Sequence, residues 1–315
     1  TWQLGSGAFR RRSRNCHYQN TGGNKMPSIY AHYTFGEIMK QNFPSDIKKR
    51  IDLHKDLFEI GLHGPDLFFY YYAPLKNRVS QTGYRMHDVS AAPFFRRAKD
   101  VILSGSTVPE KNAGLAYILG FLCHFTLDSV CHSYIEKKLT TDPVMHSDIE
   151  TNFDRYLLLK QHRRPLHAKV TSHLRTSQES AKVIRTFFPT LSVRQVESSI
   201  SSMIWYNDLF TTSDRLIRSL VHATFTYKSL GGLLMNETDN PLCTDSNLRL
   251  DKLMEASVPL CLSLTSNYLG FLHKGIPLSP YFRHTFGPKP GWREIPVLSP
   301  KEESSYQPDR EELSQ

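Results

Sequence analysis

Between Leu119 and Glu136 the chain reads LGFLCHFTLDSVCHSYIE, an apolar run interrupted by His124, Asp128 and His132 at intervals of four. Imidazole and carboxylate are ligand types that hold zinc, at bond lengths of about 2.0–2.2 Å. On an α-helix, side chains four apart lie nearly above one another, so the three form one stripe about 12 Å long. Donors spread that far along a straight helix do not converge on a single ion. The spacing therefore predicts two or more metals, with Asp128 between them as a bridging carboxylate. His146 and Glu150, in HSDIE, repeat the four-residue interval just after Pro143. A tight turn there makes the two helices antiparallel neighbours and faces His146 and Glu150 toward His132.

Three further candidates lie upstream. His32 falls on the first helix in YAHYTFGE, Asp66 follows a sharp bend in GLHGPDLFF, and His87 opens a helix in YRMHDVS. The set comprises eight potential ligands, five histidines, two aspartates and one glutamate, which suits two or three zinc ions. His63 reads as a loop residue beside them. His162, His167, His173, His222, His273 and His284 lack partners at ligand spacing and read as surface or core. Cys123 and Cys131 read as small packed residues rather than soft ligands. The run Phe68-Phe69-Tyr70-Tyr71-Tyr72 reads mainly as core, with the remainder placed to wall a substrate pocket.

These residues need elements to carry them, and the apolar spacing from Tyr30 onward is helical throughout. Helices are expected over 30–42, 46–61, 88–104, 111–137, 146–161, 166–186, 192–228 and 248–269. The 192–228 stretch is expected to break at the N-cap cluster Thr211-Thr212-Ser213-Asp214. No β-hairpin and no alternating strand longer than four residues is found. The fold class is all-α, a multi-helix bundle with a metal cluster in a cleft among the helices. Residues 1–27 read as a basic unstructured leader, 28–275 as the helical domain, and 276–315, rich in Pro, Gly, Ser, Lys and Glu, as a disordered tail.

Composition narrows the partners. The net charge is +9, but Arg10, Arg11, Arg12, Arg14 and Lys25 supply five charges before the first acidic residue, Glu37. The body is only mildly basic, which disfavours nucleic acid and stays compatible with transient contact at a membrane surface. Five cysteines at irregular spacing do not make a disulfide framework and fit a reducing compartment. The strongly apolar stretch 115–127 is too short to span a bilayer, and no apolar segment follows the arginines as a signal peptide requires. A cytoplasmic location is expected. Met26 raises the alternative that the preceding stretch lies upstream of a natural start. Oligomeric state is not readable.

The order YAHYTFGE, GPDLFFYY, MHD, AYILGFLCHFTLDSVCHSYIE and HSDIETNFDR resembles the zinc-dependent phospholipase C family, in its intracellular-type bacterial branch. Zinc-dependent single-strand nucleases share the architecture. The resemblance covers roughly residues 28–160. It implies an all-α bundle in which His32 and Asp66 serve the first zinc and His87, His124 and Asp128 complete it and bridge to its neighbour. His132, His146 and Glu150 would hold the remaining zinc. In the secreted members the N-terminal tryptophan ligates zinc; Trp2 is separated from His32 by the basic leader, so that role is not transferred. If the chain starts at Met26 and loses it, Pro27 becomes the terminus. The step from Asp128 to His132 is also one helical turn, tighter than in the secreted enzymes. The implied reaction cleaves a phospholipid to diacylglycerol and a phosphorylated head group, with Asp66 orienting or deprotonating water as the catalytic residue. Two alternatives are carried forward: a nuclease or small-molecule phosphodiesterase on the same zinc cluster, and a zinc-stabilised helical module without turnover.

Overall fold

The computed structural model describes residues 28–224 and 233–308; the expected leader 1–27 lies outside them. Among the described residues there are twelve α-helices, several short 3₁₀ turns and no strand. The all-α expectation holds. Helix α1 (Tyr30–Asn42) is followed by α2 (Ser45–Leu53), α3 (Lys55–Gly61), α4 (Arg78–Asp88) and α5 (Ala92–Leu103). Then come α6 (Val108–Thr141), α7 (His146–Lys160), α8 (Gln178–Phe187), α9 (Val193–Phe210), α10 (Arg215–Thr224), α11 (Thr244–His273) and α12 (Pro300–Ser305).

Helix α6 is the axis of the bundle. Thr107 and Glu110 close its first turn as a capping box, with Pro109 in that turn, and these residues satisfy amides that a helix start leaves unpaired. It is the one described helix long and apolar enough to cross a membrane, longer than the apolar stretch 115–127 had suggested. Its apolar window is wholly buried inside the protein, because other helices surround it. Helices α1, α3, α5, α7 and α11 all contact it. Helix α3 approaches most closely, where Gly61 and Gly120 meet. A Cβ on Gly120 would stand 2.1 Å from the Phe58 carbonyl oxygen, and one on Gly61 2.3 Å from that of Tyr117. Only glycine admits backbone this near.

Four expectations need correction. The 46–61 helix is interrupted at His54, whose φ of −132° and ψ of 43° are not helical. The 88–104 helix begins at Ala92, with Pro93 in its first turn, where a missing N–H forfeits no intrahelical bond. His87 therefore does not open that helix; it ends α4, a separate element started by an Asn77–Ser80 capping box. Residues 166–186 hold a 3₁₀ turn at Pro165–His167 and then irregular chain until Ser177 caps α8. The helical spacing of Leu166, Val170 and Leu174 misled there, because turns bury the same positions. The tail, lastly, is not disordered over 276–308. Phe282, Phe286 and Glu303 have no exposure, and the Glu303 carboxylate grips the equally buried Arg249 of α11 at 2.7 and 2.9 Å. Polar composition suggested a solvated chain, whereas the few apolar and charged anchors in it find buried partners. The break expected at 211–214 separates α9 from α10, and residues 225–228 of that expectation lie outside the described chain.

Candidate metal centre

Five elements bring the eight candidate ligands together. His124, Asp128 and His132 line one face of α6, and the α7 pair His146 and Glu150 faces its C-terminal half. His32 comes from the first turn of α1, His87 from the last turn of α4, and Asp66 from the 3₁₀ segment Gly64–Tyr70. That segment can pass so close because residue 64 is glycine. Its φ is +47°, and a Cβ there would fall 2.2 Å from the His124 ring.

The ligand atoms form two sets. In the first, His32, Asp66, His124 and Asp128 each offer an atom within 4.8 Å of the others, all four residues buried. Asp128 Oδ1 lies 3.2 Å from His32 Nε2, and its Oδ2 lies 3.1 Å from His124 Nε2. Asp66 reaches His87 Nε2 at 2.9 Å with one oxygen and His124 Nε2 at 3.5 Å with the other. His87 also stands 3.7 Å from Asp128, which joins it to this set. In the second, His132, His146 and Glu150 gather within the same 4.8 Å, with Glu150 Oε1 at 3.8 and 3.0 Å from the two imidazoles. Asp128 Oδ2 is 4.0 Å from His132 Nδ1, so the carboxylate stands between the sets.

Charge is tuned accordingly. Burial lowers the His87 imidazole, but the Asp66 and Asp128 carboxylates outweigh it and push it up to about 10. His32 moves upward in the same sense: burial opposes the shift and Asp128 drives it. Burial raises Asp128, yet the surrounding His124 and His132 hold it well below the usual carboxylate range. Glu150, also raised by burial, is brought down to about 2 by His146 and His132.

Whether these residues suit a metal is testable on their unused polar atoms. His124 Nε2, Asp128 Oδ2 and Glu150 Oε2 are buried with no hydrogen-bond partner, although buried polar atoms are nearly always satisfied. All belong to ligand-type groups directed at the two sets. Tetrahedral bonds of about 2.1 Å set ligand atoms about 3.4 Å apart, and atoms already within 4.8 Å of one another need side-chain shifts of about an ångström to close on one ion. The residues fit zinc.

Orientation comes from outside the ligands. His87 Nδ1 lies 2.9 Å from the Gly83 carbonyl oxygen, and His132 Nδ1 lies 2.5 Å from that of Phe286. A carbonyl can only accept, so each Nδ1 carries a proton and each Nε2 faces the carboxylates, the arrangement that makes Nε2 the ligand atom. Asp154, one turn beyond Glu150 on α7, takes the Ser28 hydroxyl and the backbone N–H groups of Ile29, Tyr30 and Ala31. It caps α1 and thereby fixes His32. Sequence reading missed Asp154, although its four-residue step from Glu150 was visible. It could not have found Phe286, whose contribution is a backbone atom. His63, read as a loop residue, and His173, read as surface or core, form a buried pair, Nε2 to Nε2 at 2.8 Å, with His173 stacked on Tyr33 of α1. In the aromatic run, Phe68, Phe69 and Tyr70 are core and Tyr72 is exposed. Cys123 and Cys131 are buried and neither forms a disulfide among the described residues.

No curated protein and no solved structure matches the chain. A family model described as zinc dependent phospholipase C matches residues 31–202. That interval is more than half of the chain and contains all eight clustered ligand candidates. With a helical bundle around two adjoining His/carboxylate sets, the chain belongs to the zinc-dependent phospholipase C family.

Proposed function

We propose that the eight clustered residues bind two or three zinc ions and that the protein hydrolyses a phospholipid to diacylglycerol and a phosphorylated head group. The single observation that carries this reading is the pair of adjoining ligand sets, with Asp128 of the first 4.0 Å from the His132 ring of the second. Bound zinc supplies phosphodiester hydrolysis with neutralisation of phosphoryl oxygens and with water acidified toward neutral pH. The remaining work falls to the chain. His87 and His132 are held with Nε2 inward by the Gly83 and Phe286 carbonyls, so the site is preorganised before substrate arrives. Asp66 is assigned to accept the proton of the attacking water at a carboxylate oxygen, as its place between His87 and His124 allows. Water oxygen then bonds to phosphorus, the bond from phosphorus to the glycerol oxygen breaks, and that oxygen takes up the proton that Asp66 accepted, which returns Asp66 to its carboxylate form. A positioned base of this kind contributes about 10²–10⁴-fold.

The nuclease alternative is less well supported. Phe68, Phe69 and Tyr70 are buried and cannot serve as a stacking platform for bases. The expected outcome is hydrolysis of phosphatidylcholine in preference to single-stranded DNA and bis-p-nitrophenyl phosphate. Mass spectrometry of the native protein should count two or three zincs, and Asp128→Asn should lose at least one of them together with activity. Activity that survives zinc removal would overturn the reading. Zinc without turnover of any of the three substrates would favour the non-catalytic module instead.

A further inference from the structure

Away from the metals, a cavity of about 610 Å³ opens between α2, α6 and α11. That volume falls within the range of about 300–1,000 Å³ typical of small-molecule sites. Leu115 and Leu119 of α6 contribute to it. At 100° per residue they point about 180° and about 140° away from His124. The cavity thus lies behind α6 from the metal centre and is no part of it.

Its chemistry is graded. Phe43, Ile47, Leu115 and Leu119 form a buried apolar wall, and Leu269 is half-buried beside them. Arg50 and Lys274 line the same cavity and are exposed, which places two cations at its mouth. Neither has a carboxylate partner among the described residues; Arg50 donates to the Asn112 side chain at 2.7 Å. Asp46 is the single acidic lining residue. One polar atom sits within the apolar part. Thr265 Oγ1 is buried, at 1% exposure of its residue, and makes no hydrogen bond. An unsatisfied buried hydroxyl is costly, and a ligand offering a hydrogen-bonding group there would relieve that cost.

We infer that this cavity is a second lipid site, taking a single-chain glycerophospholipid with an anionic head. The alkyl chain meets the apolar wall, the phosphate meets Arg50 and Lys274, and the glycerol hydroxyl or ester meets Thr265. A fatty acid supplies the chain and the anion but no group for Thr265. A monoacylglycerol supplies the chain and the hydroxyl but no anion. A two-chain phospholipid has a second chain for which the one cavity offers no matching wall.

The test uses the full chain and calorimetric titration of three lauroyl compounds below their critical micelle concentrations: lysophosphatidate, laurate and monolauroylglycerol. Lysophosphatidate is expected to bind most tightly, by about tenfold over each of the others. Leu269→Trp, which narrows the cavity beside its apolar wall, should weaken binding of all three. Arg50→Glu with Lys274→Glu, at exposed positions that leave the core intact, should weaken lysophosphatidate by about tenfold or more and spare monolauroylglycerol. Thr265→Val should remove the advantage of lysophosphatidate over laurate. Thermal unfolding of each variant checks that it folds. Absence of binding, equal binding of the three compounds, or affinity unchanged by both Leu269→Trp and the charge reversal would overturn the inference. None of these readouts depends on zinc or on turnover.

Discussion

Asp128 stands within 3.1–4.0 Å of four imidazoles, those of His124, His32, His87 and His132. So dense a mixture of positive and negative groups, buried together, ties metal binding to protons. In the metal-free protein His87 is raised to about 10, so it is protonated at neutral pH on the nitrogen that faces the carboxylates. Zinc must displace that proton. Apparent zinc affinity should therefore climb between pH 6.5 and about 10, by about tenfold per unit for each ligand proton released. Chelator competition at pH 6, 7 and 8 measures the slope, and a flat profile would contradict the protonated state assigned to His87. Stability of the metal-free protein has its own window. The His87 contribution is complete below its unfolded value of 6.5 and is lost as pH rises through about 10. The Glu150 contribution is present above its unfolded value of 4.5 and is lost as pH falls through about 2. Between about pH 4.5 and 6.5 both are present, but burial lowers His63 and His173, so the stability tied to those neutral imidazoles falls as pH drops below 6.5.

At the scale of elements, the site depends on helices held at their ends. Helix α1 has no cap of its own: Ile29 at its start supplies no side-chain hydrogen bond. Its first amides are instead satisfied by Asp154 from α7, so the helix carrying His32 is anchored to the helix carrying His146 and Glu150. Asp154→Ala leaves those buried donors unpaired. It should cost about 2 kcal/mol of stability and weaken zinc by about 10–100-fold, as loss of an orienting partner typically does. Thermal melting of the metal-free form isolates the first effect, and chelator competition the second. Unchanged zinc affinity alongside a lowered melting point would make Asp154 a cap with no part in positioning His32.

Across the whole molecule, the segment after α11 returns over the bundle and completes the site. The Phe286 carbonyl accepts from His132, and the Lys289 amide donates to Ser133 of α6 at 3.0 Å. Farther along, Glu303 is locked to Arg249 with both side chains fully buried, while the Arg249 guanidinium lies 3.8 Å from the Tyr306 ring centre. Breaking one side of a buried pair strands the other charge. Glu303→Ala should therefore destabilise by about 3–5 kcal/mol, read as a lowered melting temperature. Pairing Glu303→Leu with Arg249→Met should restore most of that loss, since apolar replacements of buried pairs are often neutral. If the single variant melts like the parent, the segment is not clamped by this pair.

The ligand candidates themselves were legible in the sequence because helical periodicity is a local property. His124, Asp128 and His132 must share a face of any helix that contains them, and HSDIE must present its His and Glu together. The all-α class followed from the same periodicity. Periodicity could not distinguish a helix from turns that bury equivalent positions, as at 166–177. It also overlooked that the chain leaves helical geometry at Val89, so that His87 ends α4 and Pro93 sits in the first turn of a separate α5. The turn at Pro143 already set His146 and Glu150 against His132, but tertiary structure decided the distances at which His32, Asp66 and His87 meet His124 and Asp128, because those depend on how α1, α4, α6 and the 3₁₀ segment Gly64–Tyr70 pack. It alone supplied the Phe286 carbonyl and the order of residues 276–308, since a backbone atom has no side-chain signature and Arg249 finds Glu303 only through the fold. Local spacing specifies faces, and contacts between distant segments specify what those faces enclose.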